Sequence, residues 1–210
     1  MGPDPNSIYP NEQIKQIVFI KNVITRPNII VGDYTYYDDI SGAEKFEEHV
    51  THHYPFLGDK LIIGKFCAIA RGIEFVMNGA NHRMNSVTTY PFNIMGGGWE
   101  QFTPRLEDLP MKGDTVVGSD VWIGQNVTVM PGIRIGDGAI VAANTVVTKD
   151  IPPYCVAGGN PGRIIRKRFD DELIAYLLKI RLWDWDADKI FGNMAALCSS
   201  DLEQIKQIQD

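Results

Sequence analysis

The segment Thr115–Asp150, TVVGSDVWIGQNVTVMPGIRIGDGAIVAANTVVTKD, decides the fold because it repeats every six residues. A valine or isoleucine occupies one position of every repeat, and a small or β-branched residue stands two positions before it. The first row is Val117, Ile123, Val129, Ile135, Val141 and Val147, and the second is Thr115, Val121, Val127, Ile133, Ala139 and Thr145. A fixed short period of this kind predicts a repeat architecture.

A period of six contains the strand period of two, so both rows point to one side of a short strand and the residue between them points to the other. Each repeat is then one strand and one turn, and stacked coils bury both rows. This predicts an all-β solenoid; the alternative, an antiparallel sandwich, usually has its turns about 8–12 residues apart. Trp122 falls on the outward row, where a ligand, a loop or a partner chain must cover it. The predicted turns are Ser119-Asp120, Gln125-Asn126, Pro131-Gly132, Asp137-Gly138 and Ala143-Asn144.

The repeat is interrupted once and then ends in a helical segment. Ile63, Ile69 and Phe75 keep the spacing of six, but residues 77–113 break it, so we predict an inserted loop over this range. After the repeats, Asp170 is a candidate helix cap before an apolar stripe of leucines and isoleucine. The predicted division is a solenoid domain over residues 1–160 and a C-terminal helical segment over residues 161–210, which covers the last coil.

Composition excludes several classes of function. A net charge of −6 over 210 residues argues against nucleic-acid partners and an anionic membrane surface, because phosphates require a dominant basic face. Cys67, Cys155 and Cys198 are scattered without CxxC or zinc spacing, so reduced thiols and no metal are expected. With no leader pattern and no apolar run of membrane length, we expect a cytoplasmic protein.

Ordered motifs along nearly the whole chain resemble those of a known family. They are VGDYTYYD, LIIGKFCAI, MNGANHRM, YPFNIMGGGWE, LPMKGDTVVGSDVWIG, GDGAIVAANTVVTKDIPPY and GGNPGRIIRKRF. The chain is similar to the hexapeptide-repeat xenobiotic acetyltransferases, and within them to the streptogramin A (virginiamycin) O-acetyltransferases. The resemblance implies a left-handed parallel β-helix that assembles as a homotrimer, with each active site between two subunits. It also implies acetyl-CoA as the acyl donor and a streptogramin-type antibiotic as the acceptor.

The resemblance further assigns roles to individual residues. His82 in ANHRM corresponds to the general base, a role that suits imidazole because it titrates near neutrality and can take the proton of an attacking alcohol. The acyl donor is expected to contact Trp122, Ala142, Thr148, Lys149, Arg163, Arg166 and Lys167, with Arg168 as a further candidate for the phosphates. The acceptor is expected to contact Tyr37, Tyr54, Leu109 and Pro110.

Three other functions are weighed. Another hexapeptide acetyltransferase, acting on chloramphenicol, a sugar or another small alcohol, is the nearest alternative. A zinc carbonic anhydrase on the same kind of solenoid requires three histidines on adjacent coils, and no histidine occurs in residues 115–147. A non-catalytic binding solenoid would leave His82 and the basic segment RIIRKR without a role; failure to bind acetyl-CoA would favour it.

Overall fold

A computed structural model describes residues 2–199, 203–206 and 208, and shows a β-helix of short strands. In chain order the strands are β1 (Ile17–Phe19), β2 (Ile29–Val31), β3 (Tyr36–Asp38), β4 (Val50–Thr51), β5 (Leu61–Ile63), β6 (Ala68–Ala70), β7 (Glu74–Val76), β8 (Thr115–Val117), β9 (Trp122–Ile123), β10 (Thr128–Val129), β11 (Arg134–Ile135), β12 (Ile140–Val141), β13 (Val146–Val147), β14 (Cys155–Gly158) and β15 (Arg163–Lys167).

The strands form three sheets, which we name faces A, B and C. Face A has the order β1-β3-β6-β9-β12-β14-β15, face B β11-β8-β5-β2 and face C β13-β10-β7-β4. From β2 to β13 the chain passes through faces B, A and C in regular succession. Neighbouring strands are parallel, except that β1 and β15 pair antiparallel at the two ends of face A. This is the left-handed parallel β-helix of hexapeptide repeats that was predicted.

The two apolar rows of the sequence form the core. Every member of both rows in residues 115–147 is buried, whereas Trp122, between Val121 and Ile123, is 56% exposed. The turns also follow the sequence: the second residue of each predicted pair has a positive φ, from 56° at Asp120 and Asn126 to 73° at Gly132. Aspartate, asparagine and glycine tolerate this left-handed conformation better than other residues.

Helices follow the last strand and pack over the end of the β-helix. They are α1 (Asp171–Ile180), α2 (Ala187–Leu197) and α3 (Glu203–Lys206). The Asp170 side chain accepts a hydrogen bond from the Leu173 amide at 2.8 Å, so it caps α1 as predicted. Leu173, Leu177 and Trp183 are buried against Tyr154, which lies in the turn that precedes β14. Within the described ranges, no helix has both the length and the apolarity that crossing a membrane requires.

The boundary predicted at residue 160 falls inside the strand pairing of face A. β15 lies beyond it and still pairs with β14. Between β7 and β8 the chain leaves the solenoid over residues 77–114, and this long loop contains only short 3₁₀ segments among its described elements. They are Asn78–Ala80, Phe92–Ile94, Trp99–Phe102 and Leu106–Asp108, and the other 3₁₀ segments are Ile20–Asn22, Ala43–His49, Pro55–Leu57 and Leu182–Asp184.

Candidate active site

The long loop leaves and re-enters the solenoid at the corner between faces C and B. Its first turn is close-packed: a Cβ on Gly79 would lie 2.4 Å from the His52 carbonyl oxygen and 2.5 Å from the Tyr54 ring. The Gly79 amide also donates to the His52 carbonyl at 3.1 Å. Only glycine allows the backbone to approach so closely, so the path of the loop up to His82 is fixed by the strand-to-turn segment that precedes β5.

His82 lies at the surface, three residues beyond this close contact, and one ring nitrogen is held by the loop itself. Its Nδ1 is 2.8 Å from the carbonyl oxygen of Thr89. A carbonyl oxygen can only accept, so this bond places the proton on Nδ1. The lone pair of Nε2 is therefore free to accept a proton. A neutral imidazole in this tautomer is the state that general-base catalysis needs.

Three of the residues predicted for the acceptor site surround the same turn. Tyr54 is 44% exposed and stacks on Phe56 with ring centroids 5.7 Å apart, and it covers Gly79. The Pro110 carbonyl accepts a hydrogen bond at 3.0 Å from Nδ2 of Asn81, the residue before His82, and the half-buried Leu109 is the neighbour of Pro110 in the chain. Tyr54, Leu109 and Pro110 thus lie on the side of the molecule that presents the imidazole.

Tyr37 does not lie there, and the expectation that it contacts the acceptor is not supported. Its side chain points into the β-helix, is completely buried, and donates a hydrogen bond to Asp39 at 3.0 Å. Burial, with that hydrogen bond, raises the pKa of the phenol well above its usual value. Tyr36, the preceding residue, lies on the outward row of face A and is in register, through Ala68, with Trp122.

The residues predicted for the donor site are all accessible at the surface. Trp122 stands on face A beside Ile140. Ala142 begins the corner between faces A and C, next to Gly158. Thr148 and Lys149 are exposed after β13, at the corner between faces C and B.

A connection between β14 and β15 brings the basic segment near these corners. The Val146 amide donates to the Gly159 carbonyl, and the Gly162 amide donates to the Val146 carbonyl, so residues 159–162 cross from face A onto face C. Arg163 follows this crossing and is exposed, as is Arg166. Lys167 is exposed but its ammonium pairs with Asp171, which raises its pKa.

Arg168 is not available for a phosphate. Its guanidinium donates to the Gly138 carbonyl at 2.6 Å, lies 3.6 Å from an Asp120 carboxylate oxygen and covers the ring of Tyr154. The expectation that it is a phosphate ligand is therefore not supported, because its donors are used to fasten the C-terminal segment to the solenoid. Asp120 is the counter-ion, and burial nevertheless raises the pKa of its carboxyl.

A single chain does not gather all of these residues. The loop with His82 stands at the corner between faces C and B, which is opposite face A and Trp122 in a three-sided prism. Thr148 and Lys149 share the corner with the loop but lie two strands further along face C, a separation of about 10 Å along the axis. The acceptor-side residues therefore form one surface, and Trp122 belongs to another.

Comparison with known proteins agrees with this architecture. Residues 114–149 match the family model described as bacterial transferase hexapeptide (six repeats). Over 206 residues the chain is 51% identical to virginiamycin A acetyltransferase from Staphylococcus aureus, covering 98% of this chain and 93% of that protein. It is 60% identical to a probable macrolide acetyltransferase from Lysinibacillus sphaericus over 162 residues, with 77% and 90% covered. It is 41% identical to a chloramphenicol acetyltransferase from Agrobacterium fabrum over 186 residues, with 85% and 86% covered.

The fold and these similarities define an acetyltransferase of the hexapeptide-repeat class. The chain belongs to the family of hexapeptide-repeat acetyltransferases that includes the virginiamycin A and chloramphenicol enzymes named above.

Sequence reasoning missed two residues that hold the loop. Asn78, four residues before His82, and Asp59, which precedes β5, are both buried and hydrogen-bonded to each other. Asn78 lies inside the motif MNGANHRM, so a buried polar role for it could have been suspected. Asp59 carries no such signal, since it stands in an ordinary turn sequence.

Proposed function

We propose that this protein is an acetyl-CoA-dependent O-acetyltransferase that acetylates a hydroxyl group of streptogramin A antibiotics and thereby inactivates them. The observation that carries the reaction is the contact of His82 Nδ1 with the Thr89 carbonyl oxygen, which leaves Nε2 at an exposed position to accept a proton. The similarity to virginiamycin A acetyltransferase over nearly the whole chain supports the acceptor.

The reaction needs one proton acceptor and no acyl-enzyme. As the hydroxyl oxygen attacks the thioester carbonyl carbon, Nε2 of His82 takes the hydroxyl proton. The tetrahedral oxyanion then collapses, the carbon–sulfur bond breaks, and the imidazolium returns the proton to the thiolate of CoA. The Thr89 carbonyl holds Nδ1–H throughout and stabilises the imidazolium while it exists.

The direct test is an assay of thiol release from acetyl-CoA with a group A streptogramin as acceptor. A product that carries one added acetyl group is expected. Absence of thiol release with this acceptor, with macrolides and with chloramphenicol would contradict the proposal.

We place the reaction in the cytoplasm, where free thiols such as those of Cys67, Cys155 and Cys198 are usual.

A macrolide is the second candidate acceptor. The observation in its favour is the 60% identity to a probable macrolide acetyltransferase, which exceeds the 51% identity to virginiamycin A acetyltransferase but extends over less of the chain. Both acceptors are large rings with hydroxyl groups, so the same base and the same apolar surface would serve either.

Basic side chains are proposed to bind the phosphates of acetyl-CoA. Lys149, Arg163 and Arg166 are exposed, and none of them forms a salt bridge with another described residue. Replacing both arginines with alanine should raise KM for acetyl-CoA about tenfold or more with little change in kcat, because charge-assisted hydrogen bonds to phosphate stabilise bound donor and transition state equally. Arg71→Ala, at an exposed turn on an earlier coil, is the control. An unchanged KM in the double variant would move the phosphate site elsewhere.

We also propose that the protein is a homotrimer in which Trp122 of one subunit and His82 of a neighbour share a site. Support comes from their positions on opposite sides of one chain. It also comes from an outward apolar row on face A, in which Trp122 is 56% exposed and Tyr36, Ile140 and Val156 are only partly covered by the isolated prism.

Mixed trimers test this arrangement. Chains with His82→Asn and chains with Trp122→Ala should each be poorly active alone, but co-expressed in equal amounts they should regain up to about a quarter of wild-type activity, because about one interface in four combines both native residues. Light scattering should report a trimer. No gain in the mixture, or an active monomer, would contradict the shared site.

A further inference from the structure

The long loop is closed at its base by one buried side chain. We call Asn78, Lys112 and Gly113 the loop neck. Asn78 Nδ2 donates to the Gly113 carbonyl at 2.8 Å, and the Lys112 amide donates to Asn78 Oδ1 at 2.7 Å. The side-chain amide of Asn78 therefore ties the start of the loop to its end, at two residues that lie 34 and 35 positions further along the chain.

The orientation of that amide is set by Asp59. Its Oδ2 accepts from the backbone amide of Asn78 at 3.0 Å and from the side-chain Nδ2 at 2.8 Å. Both side chains are 3% exposed. A carboxylate can only accept, so it holds the NH₂ group of Asn78 on one side and leaves Oδ1 facing Lys112. The other carboxylate oxygen, Oδ1 of Asp59, is buried and has no hydrogen-bond partner among the described residues.

The neck is connected to the imidazole through Asn81. The backbone amide of Asn81 donates to the Asn78 carbonyl at 3.0 Å, and its side-chain Nδ2 donates to the Pro110 carbonyl at 3.0 Å. His82 is the next residue. The outgoing and returning segments of the loop are thus tied together twice, immediately before the side chain that the proposed reaction uses.

We infer that Asn78, oriented by Asp59, is a positioning residue that holds His82 and the Pro110 side of the acceptor surface in register. The inference rests on the proposed function for its catalytic consequence, but the closed neck itself is independent of any activity. Removing the amide leaves the Gly113 carbonyl and the Lys112 amide without their partner in the loop, and it leaves the buried Asp59 carboxylate with only the Asn78 backbone amide as a donor among the described residues, which costs stability. Opening of the neck would let water satisfy these groups, and the imidazole of His82 could then move away from its productive position.

Asn78→Ala is expected to lower kcat at least about tenfold while KM for acetyl-CoA stays within about twofold, because the hydrogen bonds of the Asn78 side chain reach none of the proposed phosphate ligands. The matched control is Asn193→Ala, which removes an asparagine amide that donates to the Lys189 carbonyl at 2.8 Å within α2, where alanine fits the helical backbone. In a double-mutant cycle, Asn78→Ala should cost little further activity in the His82→Asn background, since a positioning residue acts through the base. Additive losses would indicate a general structural role and overturn the inference.

Exchange of the two partners provides a rescue. Asn78→Asp alone places two carboxylates together and should be strongly impaired, and Asp59→Asn alone removes the charge that orients the amide. When both substitutions are combined, the new amide at position 59 can donate to the new carboxylate at position 78, which still accepts from the Lys112 amide. Activity of this double variant should therefore exceed that of Asn78→Asp by about tenfold. Absence of any rescue would contradict the assigned pairing.

Limited trypsin digestion separates failure of this inference from failure of the proposed function. Arg105 is exposed in the loop, and cleavage there should be several-fold faster in Asn78→Ala than in the wild type or in Asn193→Ala. Equal cleavage rates would overturn the closed neck whatever the enzyme acetylates. Faster cleavage in a protein that shows no acetyl transfer would support the neck and reject only the function.

Discussion

Replacing His82 with asparagine is expected to lower kcat by about 10²-fold to 10⁴-fold, the range that a general base commonly contributes. Asparagine can still donate a hydrogen bond to the Thr89 carbonyl, which the imidazole now contacts at 2.8 Å, so the loop keeps a polar link at this position. It cannot accept a proton from an attacking alcohol. The measurement is steady-state thiol release at saturating acetyl-CoA and acceptor.

The control for this variant is His52→Asn. His52 is an exposed histidine on the same side of the molecule, and its φ of 53° suits asparagine as well as histidine. Its substitution removes an imidazole from the neighbourhood without removing the proposed base, so kcat should stay within about threefold of the wild type. Near-native turnover in His82→Asn, or an equal loss in both variants, would reject His82 as the base.

The second large effect concerns the choice of acceptor. We expect kcat/KM for a group A streptogramin to exceed that for chloramphenicol by about 10²-fold. The loop presents a broad apolar surface: Phe92 meets Tyr90 and Trp99 edge to face, with centroids 4.7 and 5.2 Å apart, and all three rings are partly exposed. A macrocycle that buries about 100 Å² more apolar surface than chloramphenicol gains about 2.5 kcal/mol before ordering costs.

The measurement compares virginiamycin M1, a macrolide, chloramphenicol and a simple sugar at one concentration of acetyl-CoA. A preference for the macrolide would select the second candidate function and keep the chemistry. Equal or higher kcat/KM for chloramphenicol or the sugar would show that the apolar loop does not select the acceptor, and the streptogramin assignment would then be rejected.

Much of the solenoid could be predicted because a repeat places the same physical demand on every coil. Val117 and its equivalents are inward because a strand alternates sides every two residues, and Asp120, Asn126 and Gly132 stand where a turn needs a positive φ. The same period could have corrected one error: Tyr37 follows Val31 by six residues, so it belongs to the inward row. Family resemblance suggested an acceptor contact that the period itself contradicts.

The sequence by itself determined the coil, the position of its one long interruption and the presence of an imidazole in that interruption, because each is a local property of spacing or residue type. The tertiary structure alone decided what holds the interruption closed and which charges remain free. Asp59, Asn78 and Lys112 meet across irregular segments that carry no period. Arg168 is distinguished from Arg166 by its contacts with Gly138, Asp120 and the Tyr154 ring. Such contacts depend on where distant parts of the chain arrive in space, and hydrogen bonds between them leave no pattern along the chain.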